Sequence, residues 1–351
     1  MRVSSPLWDA LVFAAMVMAE CASIGLITLS KAAMSRGMSN FIFIMYSYAL
    51  ATLILLPFAC FFHRPTLRPI TFSLLCKMFL LGLIGYLVQV FAYTGINYSS
   101  PTLSAAMSNL TPAFTFILAV LFRMEKLHWK SSSSQAKSIG TIVSISGAFV
   151  VTLYKGPPIM MDPSSSNSLN RLHLSSQSNW VIGGIFFAAD CLLSAIWYTF
   201  QAAIVKEYPE ELTLTCLYSF FGTFHSAIGS LIAERDQSAW ILKPDLALIT
   251  IVYSAILGFG FSVGTITWAL HQKGPLYVAM FRPLGIVIAV VMGVLFLGDT
   301  FYLGSMVGSI TITAGFYAVI WGKSQEEKLD KGIGVTSLES STERAPLLQG
   351  N

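Results

Sequence analysis

Ten runs of about 20 consecutive apolar residues constrain this 351-residue chain more than any other feature. A run of that length matches the roughly 30 Å hydrocarbon thickness of a bilayer when coiled as a helix. Within lipid every backbone amide must find its partner inside the segment, and runs this long exceed barrel strands, so helix is the only conformation that fits. The runs fall at about 8–30, 40–62, 73–96, 101–122, 137–154, 180–204, 212–233, 246–270, 275–297 and 301–321. Breakers separate them, among them His63-Arg64-Pro65, Ser99-Ser100-Pro101, Gly156-Pro157-Pro158, Tyr208-Pro209 and Gly274-Pro275. Composition agrees: 55% of residues are hydrophobic and only 11% charged, against about 25% charged in soluble domains. The expected fold class is all-α membrane protein with ten transmembrane helices, its first partner the lipid bilayer.

The same features exclude other classes. A net charge of +4, spread over loops and tail, points to no nucleic-acid partner. Five cysteines (Cys21, Cys60, Cys76, Cys191, Cys216) lie inside apolar runs without zinc-ligand spacing and read as small packing residues. No P-loop, nucleophile elbow or dinucleotide fingerprint occurs, so no cofactor, enzymatic activity or ATP hydrolysis is expected of this chain. The first run exceeds a signal-peptide core of about 7–15 residues and reads as a retained span. Lys and Arg concentrate on the side that holds Arg64, Arg68, Arg123, Lys126, Lys130 and Lys323, which places both termini in the cytoplasm. The stretch 156–179, with Asp162-Pro163-Ser164-Ser165-Ser166-Asn167, reads as a flexible linker. Residues 324–351 read as a polar, disordered cytoplasmic tail. Nothing in the sequence sets an oligomeric state.

The linker divides two halves that resemble each other. Ala119-Val120-Leu121-Phe122-Arg123-Met124-Glu125 matches Gly293-Val294-Leu295-Phe296-Leu297-Gly298-Asp299, each ending 24 residues after a proline, Pro101 and Pro275. Gly140 and Gly147 match Gly308 and Gly315; Ala19-Glu20-Cys21 matches Ala189-Asp190-Cys191; Tyr46-Ser47 matches Tyr218-Ser219. Four matches in one order make a repeat. With five spans each, the halves 1–155 and 180–323 must enter the membrane from opposite sides. Inverted repeats of this kind build carriers with a midplane site between the halves.

The stretches Gly95-Ile96-Asn97-Tyr98-Ser99-Ser100-Pro101 through Asn109-Leu110-Thr111-Pro112 and Gly274-Pro275-Leu276-Tyr277-Val278-Ala279-Met280-Phe281-Arg282-Pro283-Leu284 carry a family likeness. They resemble the plant walls-are-thin-related proteins, also called usually-multiple-acids-move-in-and-out transporters, of the drug/metabolite transporter superfamily. The likeness runs from about Trp8 to Lys323. It implies two inverted five-helix EamA-type repeats and the facilitated or exporting movement of amino acids or, in some members, auxin. Arg282 departs from the neutral or smaller residue that the resemblance implies there.

A charge at the bilayer centre costs at least about 2.5–3.5 kcal/mol, so each one needs a reason. Glu20 and Asp190 lie midway along spans one and six at matched positions. Eleven residues on in each copy stand Lys31 and Gln201, on the same helical faces, with Ser23 and Ser194 close by. The two acids either line a cavity that binds an ammonium group or proton, or neutralise Arg282 or Lys31 in a structural ion pair. Arg282, roughly 10 Å into span nine, can fork onto a substrate carboxylate, lock onto an acid, or snorkel to the interface. Gln89, Asn109 and Trp268 complete the expected substrate site. Small residues on the same stripes, such as Gly82, Gly85 and Gly258, serve helix packing in most such helices.

The tail holds Glu343-Arg344-Ala345-Pro346-Leu347-Leu348, whose Glu343, Leu347 and Leu348 fit an acidic dileucine motif read by adaptor proteins. The expected address is the plasma membrane or the vacuolar membrane, the motif favouring the second. Taken together the chain reads as a secondary transporter of amino acids or related small metabolites by alternating access. A channel-like pore, a carrier of another metabolite class and a non-transporting scaffold are the alternatives.

Overall fold

The protein is described by a computed structural model covering residues 6–34, 36–62, 70–98, 108, 110–122, 124, 131–154, 157–160, 177–242, 244–282, 284–285, 287–288 and 301–342. The described residues are helical apart from turns and one short strand pair. The long helices are α1 (Pro6–Met34), α2 (Asn40–Phe62), α3 (Phe72–Tyr98), α4 (Leu110–Leu121) and α5 (Ser132–Leu153) in the first half. The second half has α6 (Gln177–Glu207), α7 (Glu211–Ala233), α8 (Leu246–Lys273), the short α9 (Pro275–Ala279) and α10 (Leu303–Thr342). Six of them are long and apolar enough to cross a membrane: α1, α2, α3, α6, α7 and α8.

Among the described residues that is fewer than ten, because the other expected spans are only partly described. Of the fourth expected span, 101–122, only residue 108 and α4 from Leu110 belong to the described helical residues. Of the ninth, 275–297, the described residues stop at 288. α5 opens on Ser132-Ser133-Ser134-Gln135 and carries the buried Lys137, and several of its later side chains lie outside the described ones. The tenth expected span, 301–321, lies at the start of α10, which continues through the stretch expected to be a disordered tail as far as Thr342. Gln325-Glu326-Glu327-Lys328-Leu329 is a run of strong helix formers. Its Glu326 meets Lys137 Nζ at 2.7 Å, which ties the extension to α5.

The expected linker also has structure at its start. Pro158–Met160 (β1) pairs antiparallel with Phe301–Tyr302 (β2), and Leu303 N donates to the Pro157 carbonyl at 3.0 Å. The rest of that stretch up to residue 176 lies outside the described residues.

Helix contacts follow a crossed pattern. α3 packs on α6 and α8 on α1, so the third helix of each half lies against the first helix of the other. α2 packs on α7, and α5 on α10. The last pair meets backbone to backbone. A Cβ on Gly140 would come within 2.7 Å of the Gly315 carbonyl oxygen, and one on Gly147 within 3.0 Å of the Gly308 carbonyl oxygen. Only glycine fits such an approach, as in small-residue crossings generally. These are the glycines matched in the repeat, and each contacts the other's counterpart, as a two-fold axis requires.

Helix ends sort into two layers. Lys77 pairs with Glu207, His271 with Glu211, and Lys137 with Glu326 at one end. At the other end Ser230 Oγ donates to the Phe41 carbonyl at 2.9 Å, Tyr46 Oη to the Trp240 carbonyl at 3.0 Å, and β1 meets β2. The first layer is the end that the basic residues assign to the cytoplasm.

Candidate functional site

Glu20 sits near the middle of α1 and Asp190 near the middle of α6, each within an otherwise apolar helix. Glu20 is 6% exposed. The helix facing it, α8, is locally widened: Ser254–Val263 runs as π-helix between two α segments. Ser262 Oγ returns to the Leu257 carbonyl five residues back at 2.7 Å and also lies 3.5 Å from the Ala19 carbonyl oxygen. Tyr253 Oη donates to the Ala22 carbonyl at 3.1 Å. The π stretch is thus fitted against the turn of α1 that carries Glu20, and such stretches are frequent at functional sites.

Arg282 reaches the centre by an abrupt turn. Gly274, at φ +84°, ends α8 in a conformation that a side chain resists, and Pro275 opens α9 at once. Seven residues later Arg282 Nε donates to Tyr198 Oη at 2.9 Å, with Cζ 5.9 Å from the Tyr198 ring centre. Tyr198 is 1% exposed and lies two turns past Asp190 on α6. Glu20 and Asp190 both lie within electrostatic range of Arg282 and of Tyr198. Residues after Arg282 admit the Glu20 carboxylate: a Cβ on Gly285 would lie 3.3 Å from Glu20 Oε2. Ser194 Oγ donates to Asp190 Oδ1 over a long 3.4 Å. Thr111 of α4 bonds Cys191, the next residue, and closes the site from the first half.

The structure therefore brings together Glu20, Asp190 and Arg282. The Arg282 guanidinium bonds the buried Tyr198 phenol. Gln89 is half-buried on α3, with no hydrogen bond among the described residues. Trp268 is half-buried and stands edge-on to Trp8, ring centres 5.8 Å apart, so it fastens α8 to α1. Asn109, the Lys31 side chain and the dileucine residues Glu343, Leu347 and Leu348 lie outside what is described. Gly82 and Gly85 serve packing: a Cβ on either would strike Phe221 or Tyr218. His225 bonds the Phe221 carbonyl at 2.7 Å, as a lone helical histidine should.

Sequence reasoning missed Tyr198. Its signal was available, since Asp190, Ser194, Tyr198 and Gln201 share one sector of α6, about 80° wide. An aromatic residue in an apolar helix reads first as packing. Chemically the site offers a planar cation for a carboxylate and two carboxylates for an ammonium group or a proton. All are held where a low dielectric strengthens each interaction.

Known proteins resemble this chain over most of its length. The profile of the EamA-like transporter family matches residues 8–153 and again 181–321. Two WAT1-related proteins of Arabidopsis thaliana are similar throughout. One is 47% identical over 346 residues, 97% of this chain and 92% of the relative; the other is 48% identical over 347 residues, 95% and 94%. A solved crystal structure aligns with a TM-score of 0.64 at 12% identity, over 90% of this chain and 99% of its own, a likeness of fold alone.

Proposed function

The chain belongs to the EamA-like transporter family, among its plant WAT1-related members, and from that premise we propose a carrier that moves amino acids or related small organic acids, auxin among them, by alternating access. It is a multi-pass membrane protein of a family of transporters. The carrying observation is the central cluster: Glu20 from the first half and Asp190 from the second both act on Arg282, which Tyr198 holds in place. A zwitterionic or anionic cargo can replace those intramolecular partners, its carboxylate on Arg282 and its ammonium group on the acids. Such an exchange leaves no buried charge alone in either state.

Ten helices in two inverted five-helix repeats (1–155 and 180–323, joined by 156–179) are the architecture this reading adopts. The reciprocal glycine contacts and the crossed pairing of first and third helices support it. Rocking of one half against the other then exposes the cluster to each side in turn. Both termini lie in the cytoplasm in this reading. Glu343, Leu347 and Leu348 are the adaptor-binding signal that sends the protein to the vacuolar membrane, and its loss leaves the protein at the plasma membrane.

The test is uptake of radiolabelled amino acids and indole-3-acetate into proteoliposomes, with and without a pH gradient. Saturable uptake, accelerated by unlabelled cargo on the far side, is the expected result. Uptake that never saturates and shows no trans-acceleration would sink the carrier in favour of a pore.

A further inference from the structure

Gln201 lies eleven residues beyond Asp190 on α6, three turns and about 20° on, and one turn beyond Tyr198. It is 1% exposed. Its Nε2 donates to Thr267 Oγ1 on α8. The Thr267 hydroxyl proton is already used, since it donates to the Val263 carbonyl at 2.7 Å. Thr267 therefore offers only a lone pair, and the atom facing it must be the amide NH2. This leaves Gln201 Oε1 as the free atom, a buried acceptor with no hydrogen-bond partner among the described residues. Native proteins rarely keep such a group unless something completes it.

Its surroundings say what. On one side, a turn away, Tyr198 holds Arg282. On the other, His271 stands one turn beyond Thr267, where it meets Glu211 at 2.6 Å; their side chains are 29% and 30% exposed. Gln201 thus stands between the central cluster and the solvent-reached end of the bundle that carries the ion pairs.

We propose that Gln201 is a specificity subsite, whose Oε1 accepts a hydrogen bond from a donor on the cargo's side chain while the cargo's carboxylate is held by Arg282. The cargo it selects carries a neutral amide, hydroxyl or ring N–H on its side chain, apart from its carboxylate. Thr267 fixes the amide so that its oxygen is presented. A site built around such an acceptor rejects an isostere without the donor, because the acceptor is then buried unpaired. The inference rests on the carrier reading of the central cluster.

The experiment compares L-glutamine with L-methionine, which has nearly the same length and no side-chain donor, in proteoliposomes. The wild-type protein should prefer glutamine by at least about tenfold in kcat/KM. Gln201→Leu should lower glutamine kcat/KM by about that factor and leave methionine within about twofold. Equal losses for both cargoes would make Gln201 a packing residue, and no change for either would also overturn the subsite. If the wild-type protein moves neither, the amino-acid reading fails, and a cargo-independent arm decides the subsite. Gln201→Cys, with Cys60→Ser and Cys76→Ser, is then treated with a membrane-impermeant cationic methanethiosulfonate in inside-out vesicles. Labelling keeps Gln201 on an aqueous path from the cytoplasmic end; its absence refutes the subsite.

Discussion

Arg282 sits among apolar helices, where Tyr198 bonds it and Glu20 and Asp190 lie within electrostatic range. Removing the cation should therefore harm the protein through the acids it leaves behind. We expect Arg282→Ala to lower the thermal midpoint in detergent, a loss of about 3 kcal/mol for breaking a buried charge set. Adding Glu20→Gln to the same chain should restore part of that loss; a further fall would show that the acid is not coupled to the arginine. Arg282→Lys keeps the charge but not the planar fork, so KM for a carboxylate cargo should rise about tenfold with the midpoint little changed. An unaltered KM would remove Arg282 from the carboxylate site. The sequence displayed the three charged residues because ionised groups in apolar runs are conspicuous. It could not display Tyr198, whose role depends on which helix its face meets. Periodicity assigns faces and is silent about their partners.

At the scale of helices the decisive contacts are made by residues without side chains. Gly140 against Gly315 and Gly147 against Gly308 allow α5 and α10 to touch along their backbones. Gly315→Val should then cost about 1–3 kcal/mol through overpacking, read as a lower unfolding midpoint, whereas Gly184→Val, with nothing within 4 Å of its Cβ direction, should leave it unchanged. Equal effects would mean that the crossing is looser than described. The matched glycines were legible as a seven-residue step in each half; that each copy meets the other's counterpart was not. Two other features also escaped the sequence. The π stretch of α8 lies where Tyr253 donates to the Ala22 carbonyl of α1 and Ser262 bonds the Leu257 carbonyl of its own helix, a tertiary fit with no local signature. The continuation of α10 begins with good helix formers at 325–329, anchored by the Lys137–Glu326 pair, which polar composition alone disguises as a tail.

For the whole molecule, the proposed orientation makes a direct prediction. Gln237, exposed between α7 and α8, belongs to the outer layer, and Lys206, exposed at the end of α6, to the cytoplasmic one. A cysteine at 237 should react with an impermeant maleimide in intact cells, and one at 206 only after permeabilisation; the reverse would invert the topology. The number and length of apolar runs made the class legible, and the repeat made the halves legible, since both are written in local composition. Cargo identity is written in side chains that converge only after folding. The central claim is that Glu20 and Asp190, one from each half, act with Arg282 as a single site reached from both sides. Counterflow measures this most directly: proteoliposomes loaded with unlabelled amino acid are given a trace of labelled cargo outside. The wild-type protein should show a transient overshoot of label, and Glu20→Gln and Asp190→Asn should each abolish it at equal reconstituted protein. An undiminished overshoot in either variant would contradict the account.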